Sequence, residues 1–118
     1  MFDHHDSRYN LVEIAKQFLL VEEHLVGNKC ADCLTKHYLT IMAYAEEGLR
    51  LQHGQEEPYK SLLISSNELA KKHLSYVLQN QGQYIPSMIQ EVREVRKKIF
   101  NQVLGVSDIH HVEKIAIE

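Results

Sequence analysis

The chain has 118 residues, of which 44% are hydrophobic and 25% charged, a composition that suits one globular domain with a buried core. Its 13 Lys and Arg against 16 Asp and Glu give a net charge of -3 and no broad positive field for a phosphate backbone, so we expect no nucleic-acid partner. No apolar run approaches the ~20 residues that span a bilayer, and the first residues lack the order of a signal peptide. We therefore expect a cytoplasmic, intracellular protein that does not bind membranes.

The first half of the chain contains two stretches whose apolar residues recur at three- and four-residue steps, which predicts two amphipathic helices. The first helix is expected at about 7–26, with Ser7 or Asn10 as its N-terminal cap. The second is expected at about 30–52, with an end at His53-Gly54. The buried face of the first helix is predicted to contain Leu11, Ile14, Ala15, Phe18, Val21 and Leu25.

Two further helices are predicted in the second half. The third is expected at about 58–80, because Pro58 suits a first helical turn, and we expect it to continue through the polar residues 65–67. The fourth takes Pro86 in its opening turn and ends at Gly105. The charged run 93–98 on this helix is expected to face solvent. The tyrosines expected at the core edge, with hydroxyls reaching water, are Tyr38, Tyr44, Tyr59 and Tyr76.

Four amphipathic helices of roughly 20 residues with short connections predict an all-α fold, an antiparallel up-down four-helix bundle. In this single domain, residues 1–6 form an N-terminal extension and 7–105 the bundle. Residues 106–118 are expected to form a short C-terminal tail or fifth helix. This tail is apolar enough to dock on the bundle or on a partner.

An apolar surface for a protein partner or for a homo-oligomer is expected from residues that sit off the main helical stripes. Those residues are Met42, Leu78 and Leu104.

The feature that points most clearly to chemistry is Cys30-x-x-Cys33, followed by His37. On a helix that starts at Cys30, the side chains of Cys33 and His37 share a face, and Cys30 lies one turn earlier. An antiparallel hairpin brings His24 near the same point. Two thiolates and two imidazoles match a structural zinc site with no open position for a substrate. The predicted metal ligands are Cys30, Cys33, His37 and His24, and the alternatives to His24 are His73, His110 and His111.

The same cysteines have other interpretations. They can form a disulfide that is either structural or redox-active. At a helix N-terminus a C-x-x-C can act as a dithiol oxidoreductase, because the helix favours the thiolate form of its first cysteine. The fragment Cys30-Ala31-Asp32-Cys33 resembles the one that opens a bundle helix in flavin-linked sulfhydryl oxidases. That resemblance is limited to the fragment, because such enzymes also have a tryptophan and histidine motif and this chain has no tryptophan. Alternatively, the two thiols have no function.

The segment from Asn10 to Ile41, with its C-x-x-C and following histidine, resembles uncharacterised short helical proteins of phages and large DNA viruses. The resemblance covers about the first half of the chain. It implies an accessory or structural protein either of a virus particle or of an infected cell. In the first case the protein would be located in the virion.

No Glu-x-x-His pair and no nucleophile-base-orienter set occurs in the sequence. We therefore expect a non-enzymatic structural or interaction module for assembly, with its first hairpin pinned by metal. The alternative is a small thiol-disulfide oxidoreductase that uses Cys30 and Cys33.

Overall fold

A computed structural model of the chain describes residues 5–27, 31–80 and 86–105. The helices begin and end within one or two residues of the predicted boundaries wherever these ranges include them. Cys30 and the tail 106–118, with His110 and His111, lie outside the described residues. The observed elements are α1 (Ser7–Gly27), α2 (Ala31–Arg50), a short 3-10 helix (Gln52–Gln55), α3 (Tyr59–Gln79) and α4 (Pro86–Leu104).

The four helices form the predicted antiparallel bundle. Within the described ranges, α1 and α3 each pack against both α2 and α4, whereas no Cα atom of α2 lies within 8 Å of one in α4, on the opposite side of the bundle. The residue pairs between α1 and α2 run in opposite directions: Asn10 meets Tyr44, and Gln17 meets His37. None of these helices, over the parts described, combines the length and the apolar character that a bilayer span requires.

The predicted apolar face of α1 is confirmed, because all six of its residues are fully buried. The buried face is wider than that stripe, since Val12 and Leu19 are also less than one-tenth exposed. Each large aliphatic or aromatic side chain removed from water contributes about 1.5–3 kcal/mol. α1 therefore provides much of the core, which is completed by Leu34, Tyr38, Ile41, Leu63, Val77, Val92, Ile99 and Phe100.

The cap of α1 differs from the prediction. The carboxylate of Asp6 accepts a hydrogen bond from the backbone N–H of Arg8, at 2.9 Å, and binds its guanidinium as well. Asp6 therefore caps the helix, whereas Ser7 and Asn10 are fully buried. Asn10 instead donates its side-chain amide to the carbonyl oxygen of Tyr44, at 2.9 Å, and so links the start of α1 to the end of α2.

The charged run 93–98 on α4 was predicted to face solvent, but part of it is buried. Arg96 is 2% exposed, and its guanidinium binds the carboxylate of Glu22 on α1. Arg93 binds the other oxygen of that carboxylate at 2.6 Å but is itself half exposed. The prediction was wrong at Arg96 because this position borders the buried face of α4, between Val92 and Ile99.

The apolar surface also differs in part from the expected one. Leu78 is 64% exposed, as expected, but Met42 and Leu104 pack against the core. The other large apolar side chains that are exposed among the described residues are Leu20, Val26, Leu39 and Ile64.

Two glycines allow α2 and the 3-10 helix to approach their neighbours closely. A Cβ atom at Gly48 would lie 2.8 Å from a methyl group of Leu63 and 3.3 Å from Cβ of Asn10. A Cβ atom at Gly54 would overlap the backbone carbonyl of Gly48. A leucine side chain can move aside, whereas a helix carbonyl cannot, so the constraint at Gly54 is the stricter one.

We predict that Arg96→Met lowers the free energy of unfolding by about 2 kcal/mol or more, because it leaves the mostly buried carboxylate of Glu22 without its buried partner. Arg93→Met is the matched control and should cost less than about 1 kcal/mol, since Arg93 is half exposed. Urea unfolding followed by circular dichroism measures both. Equal effects of the two substitutions would contradict this interpretation of the pair.

We also predict that Gly54→Ala destabilises the fold by about 3 kcal/mol or more, because the added methyl group displaces backbone. Gly48→Ala should cost less, since Leu63 can adjust and alanine favours a helix by about 1 kcal/mol over glycine. Thermal and urea unfolding of both variants test this order. A Gly54→Ala protein as stable as the wild type would show that the close approach is not a constraint.

Candidate metal centre

The structure brings two of the predicted ligands together. His24 lies in the last turn of α1 and His37 in the second turn of α2, and their ring centres are 5.1 Å apart with planes inclined by 41°. The two rings come from different helices and meet because the hairpin is antiparallel. This agrees with the expected approach of His24 to the beginning of the second helix.

A third side chain fixes one of these rings. Nδ1 of His37 lies 2.8 Å from Oε1 of Gln17, which is two turns before His24 on α1. An amide oxygen only accepts hydrogen bonds, so a hydrogen bond between these atoms requires the tautomer of His37 with the proton on Nδ1 and the lone pair on Nε2. The sequence alone does not identify Gln17, because a glutamine at a helical position does not indicate a metal site.

Burial and charge favour neutral imidazole at this point. Burial lowers the pKa of His37, and the nearby His24 and Lys36 lower it further. Nδ1 of His24 is buried and has no hydrogen-bond partner among the described residues. Metal ions bind the neutral form of histidine, which the lowered pKa of His37 favours.

The cysteines are less completely defined. Cys33 is exposed in the first turn of α2, four residues before His37, which places the two residues on the same side of the helix. Cys30 lies outside the described residues. Among residues 5–27, 31–80 and 86–105, no three His, Cys, Asp or Glu side chains lie close enough together to hold a metal ion. The four-ligand site thus stays a prediction, with its two imidazoles in contact.

His73, the alternative to His24 in the described part of the chain, lies in a different environment. It is 1% exposed; its Nδ1 is 3.5 Å from the hydroxyl of Tyr38, and its Nε2 is 3.5 Å from a carboxylate oxygen of Glu91. Both distances are long for hydrogen bonds. The other oxygen of Glu91 accepts a hydrogen bond from Lys72 at 2.8 Å. His73 therefore connects α2, α3 and α4 through polar contacts.

The order hydroxyl, imidazole, carboxylate in this chain of contacts resembles a nucleophile with its base and orienting group. However, Tyr38 is fully buried, contrary to the prediction that its hydroxyl reaches water, and burial raises its pKa far above the usual value. A hydroxyl that is protonated and enclosed cannot attack a substrate. The periodicity of the sequence indicates that Tyr38 lies on the apolar face of α2 and His73 on that of α3. It does not show that these two faces pack against each other.

Comparison with known proteins does not assign a function: no family model, no curated protein and no solved structure matches this chain.

We predict that His73 makes folding stability depend on pH. Burial lowers the pKa of His73 more strongly than Glu91 raises it. The pKa of His73 in the folded state is therefore below the value of about 6.5 that a histidine has in the unfolded chain. Stability is then fully present above about pH 6.5 and falls as the pH drops below it, by at most about 1.4 kcal/mol per pH unit for this group.

His73→Gln should reduce that slope between about pH 7.5 and 5.5, in urea unfolding measured at a series of pH values. His53→Gln is the control, because the ring of His53 is partly exposed and pairs with the exposed Glu56. If the free energy of unfolding changes with pH equally in the His73→Gln variant and the wild type, His73 does not cause the pH dependence.

Proposed function

We propose that this protein is a non-enzymatic interaction or assembly module, and that a structural zinc ion holds its first hairpin. His24 on α1 and Cys33 and His37 on α2 bind the ion in this proposal, with Cys30 as the fourth ligand on the evidence of the sequence. The observation that carries the proposal is the contact between His24 and His37 across the two helices.

The separation of these rings suits a shared metal ion. Two imidazoles that bind one tetrahedral Zn²⁺ through nitrogen atoms at about 2.0–2.1 Å have their ring centres about 5 Å apart. The observed 5.1 Å between the ring centres of His24 and His37 matches this separation. The buried Nδ1 of His24 also supports the proposal, because a metal ion would bind a nitrogen atom for which the described part of the chain provides no hydrogen-bond partner.

An interaction role is supported by the outer surface. Five large apolar side chains of the described residues are exposed, with Leu78, Val26 and Leu39 more than half exposed. The sequence of the tail 106–118 adds further apolar residues. A protein partner or a second copy of the chain would cover such groups. The resemblance of the first half to phage and large-virus proteins supports an accessory or particle component as the setting of this role.

The second candidate is a small thiol-disulfide oxidoreductase. It is favoured by one observation: Cys33 is exposed in the first turn of α2, where the helix dipole stabilises a thiolate. This candidate requires that Cys33 and Cys30 exchange electrons with an external dithiol.

We predict about one zinc ion per chain in protein purified without chelator or affinity metal, with thiols that react only after chelation. His37→Ala and Cys33→Ser should each weaken zinc binding, whereas His53→Ala should not, since His53 belongs to the 3-10 helix. Saturation at 100 times the dissociation constant would add about 2.7 kcal/mol to the stability. Element analysis, thiol titration and thermal unfolding with and without chelator measure these effects.

The same measurements separate the two candidates. Absence of metal together with a reversible Cys30–Cys33 disulfide would reject the zinc clip in favour of redox exchange. In that case a Cys33→Ser variant would remain folded and lose exchange with a dithiol reagent, whereas the clip predicts that the same variant loses metal and thermal stability.

A further inference from the structure

We infer that Gln17 is the positioning residue of this metal site and that it selects Nε2 of His37 as the atom that binds the ion. The inference rests on the zinc site proposed above and adds a residue to it. Gln17 does not touch the metal in this arrangement. It acts through His37, by fixing which ring nitrogen carries the proton and how the ring is turned.

The hydrogen bond gives the direction of this effect. Nδ1 of His37 donates to Oε1 of Gln17 at 2.8 Å, a normal length for this kind of bond. The proton is thus held on Nδ1, and the lone pair that a metal requires is on Nε2. Free histidine in water exchanges between its two neutral tautomers, so this hydrogen bond stabilises the tautomer with the proton on Nδ1.

The position of Gln17 on α1 also fits the role. Gln17 and His24 are seven residues apart, or about two helical turns, so both project from the same side of α1. His37 contacts Gln17 with one nitrogen and His24 with its ring. A single face of α1 therefore supplies one ligand of the proposed site and the group that orients another.

Partners of this kind are a general requirement of histidine sites. A ligand histidine commonly donates its other ring N–H to a carboxylate, a carbonyl or water, and loss of that partner lowers metal affinity about 10- to 100-fold. The amide oxygen of Gln17 is an acceptor of the same class as a backbone carbonyl.

The experiment compares Gln17→Leu, Gln17→Glu and the control Gln102→Leu, an exposed glutamine on α4. Zinc affinity is measured by competition with a chromophoric chelator, and the tautomer of His37 by long-range ¹⁵N NMR of the zinc-free protein. We expect the wild type to show the Nδ1–H tautomer. Gln17→Leu should lose it and bind zinc about 10- to 100-fold more weakly, while Gln17→Glu, which keeps an acceptor, and Gln102→Leu should retain both properties.

The NMR result separates positioning from simple packing, because a loss of packing alone would not change the tautomer. Wild-type protein that binds no zinc would overturn the proposed site and this role with it. Wild-type protein that binds zinc, with the same affinity in Gln17→Leu or with His37 in the Nε2–H form, would overturn only the role of Gln17.

Discussion

The register between α1 and α2 is the constraint on which the candidate site depends. At one end of the pair, the amide of Asn10 is bound to the carbonyl of Tyr44, and Gly48 lets α2 approach α1 without a side chain between them. With that end fixed, α1 and α2 run antiparallel so that Gln17 meets His37 and His24 follows two turns later. A shift of one turn would separate the imidazoles and leave the buried amide of Asn10 without its acceptor.

The other helix contacts are specified in a similar way. Arg96 meets Glu22 between α4 and α1, and His73 lies between Tyr38 and Glu91 where α2, α3 and α4 come together. Such buried polar groups lose hydration, and this cost is offset only where the partners meet. Apolar packing drives the four helices together, and these contacts favour one relative position over others of similar hydrophobic burial.

The sequence predicted the features that depend on periodicity: four helices, their boundaries and the buried face of α1. It failed where the answer depends on which neighbour a side chain meets. Tyr38 and Arg96 were placed at the edge or in solvent because one helix alone does not show what packs across it. Likewise, nothing local identifies Gln17 as a partner of His37, since the two are twenty positions apart. His24 and His37 were predicted to lie close together because a short loop makes two sequential helices antiparallel neighbours.

A metal ion in this protein would have a different task from one in a zinc finger. Small zinc domains lack a sufficient core and fold only with metal, whereas this bundle buries a full set of large apolar side chains from all four helices. Removal of the ion should therefore loosen the α1–α2 hairpin and leave the bundle folded. Val26, which is 61% exposed, lies two residues after His24 in the last turn of α1. An ion bound at His24 would hold that turn in place, and with it an apolar group available to a partner.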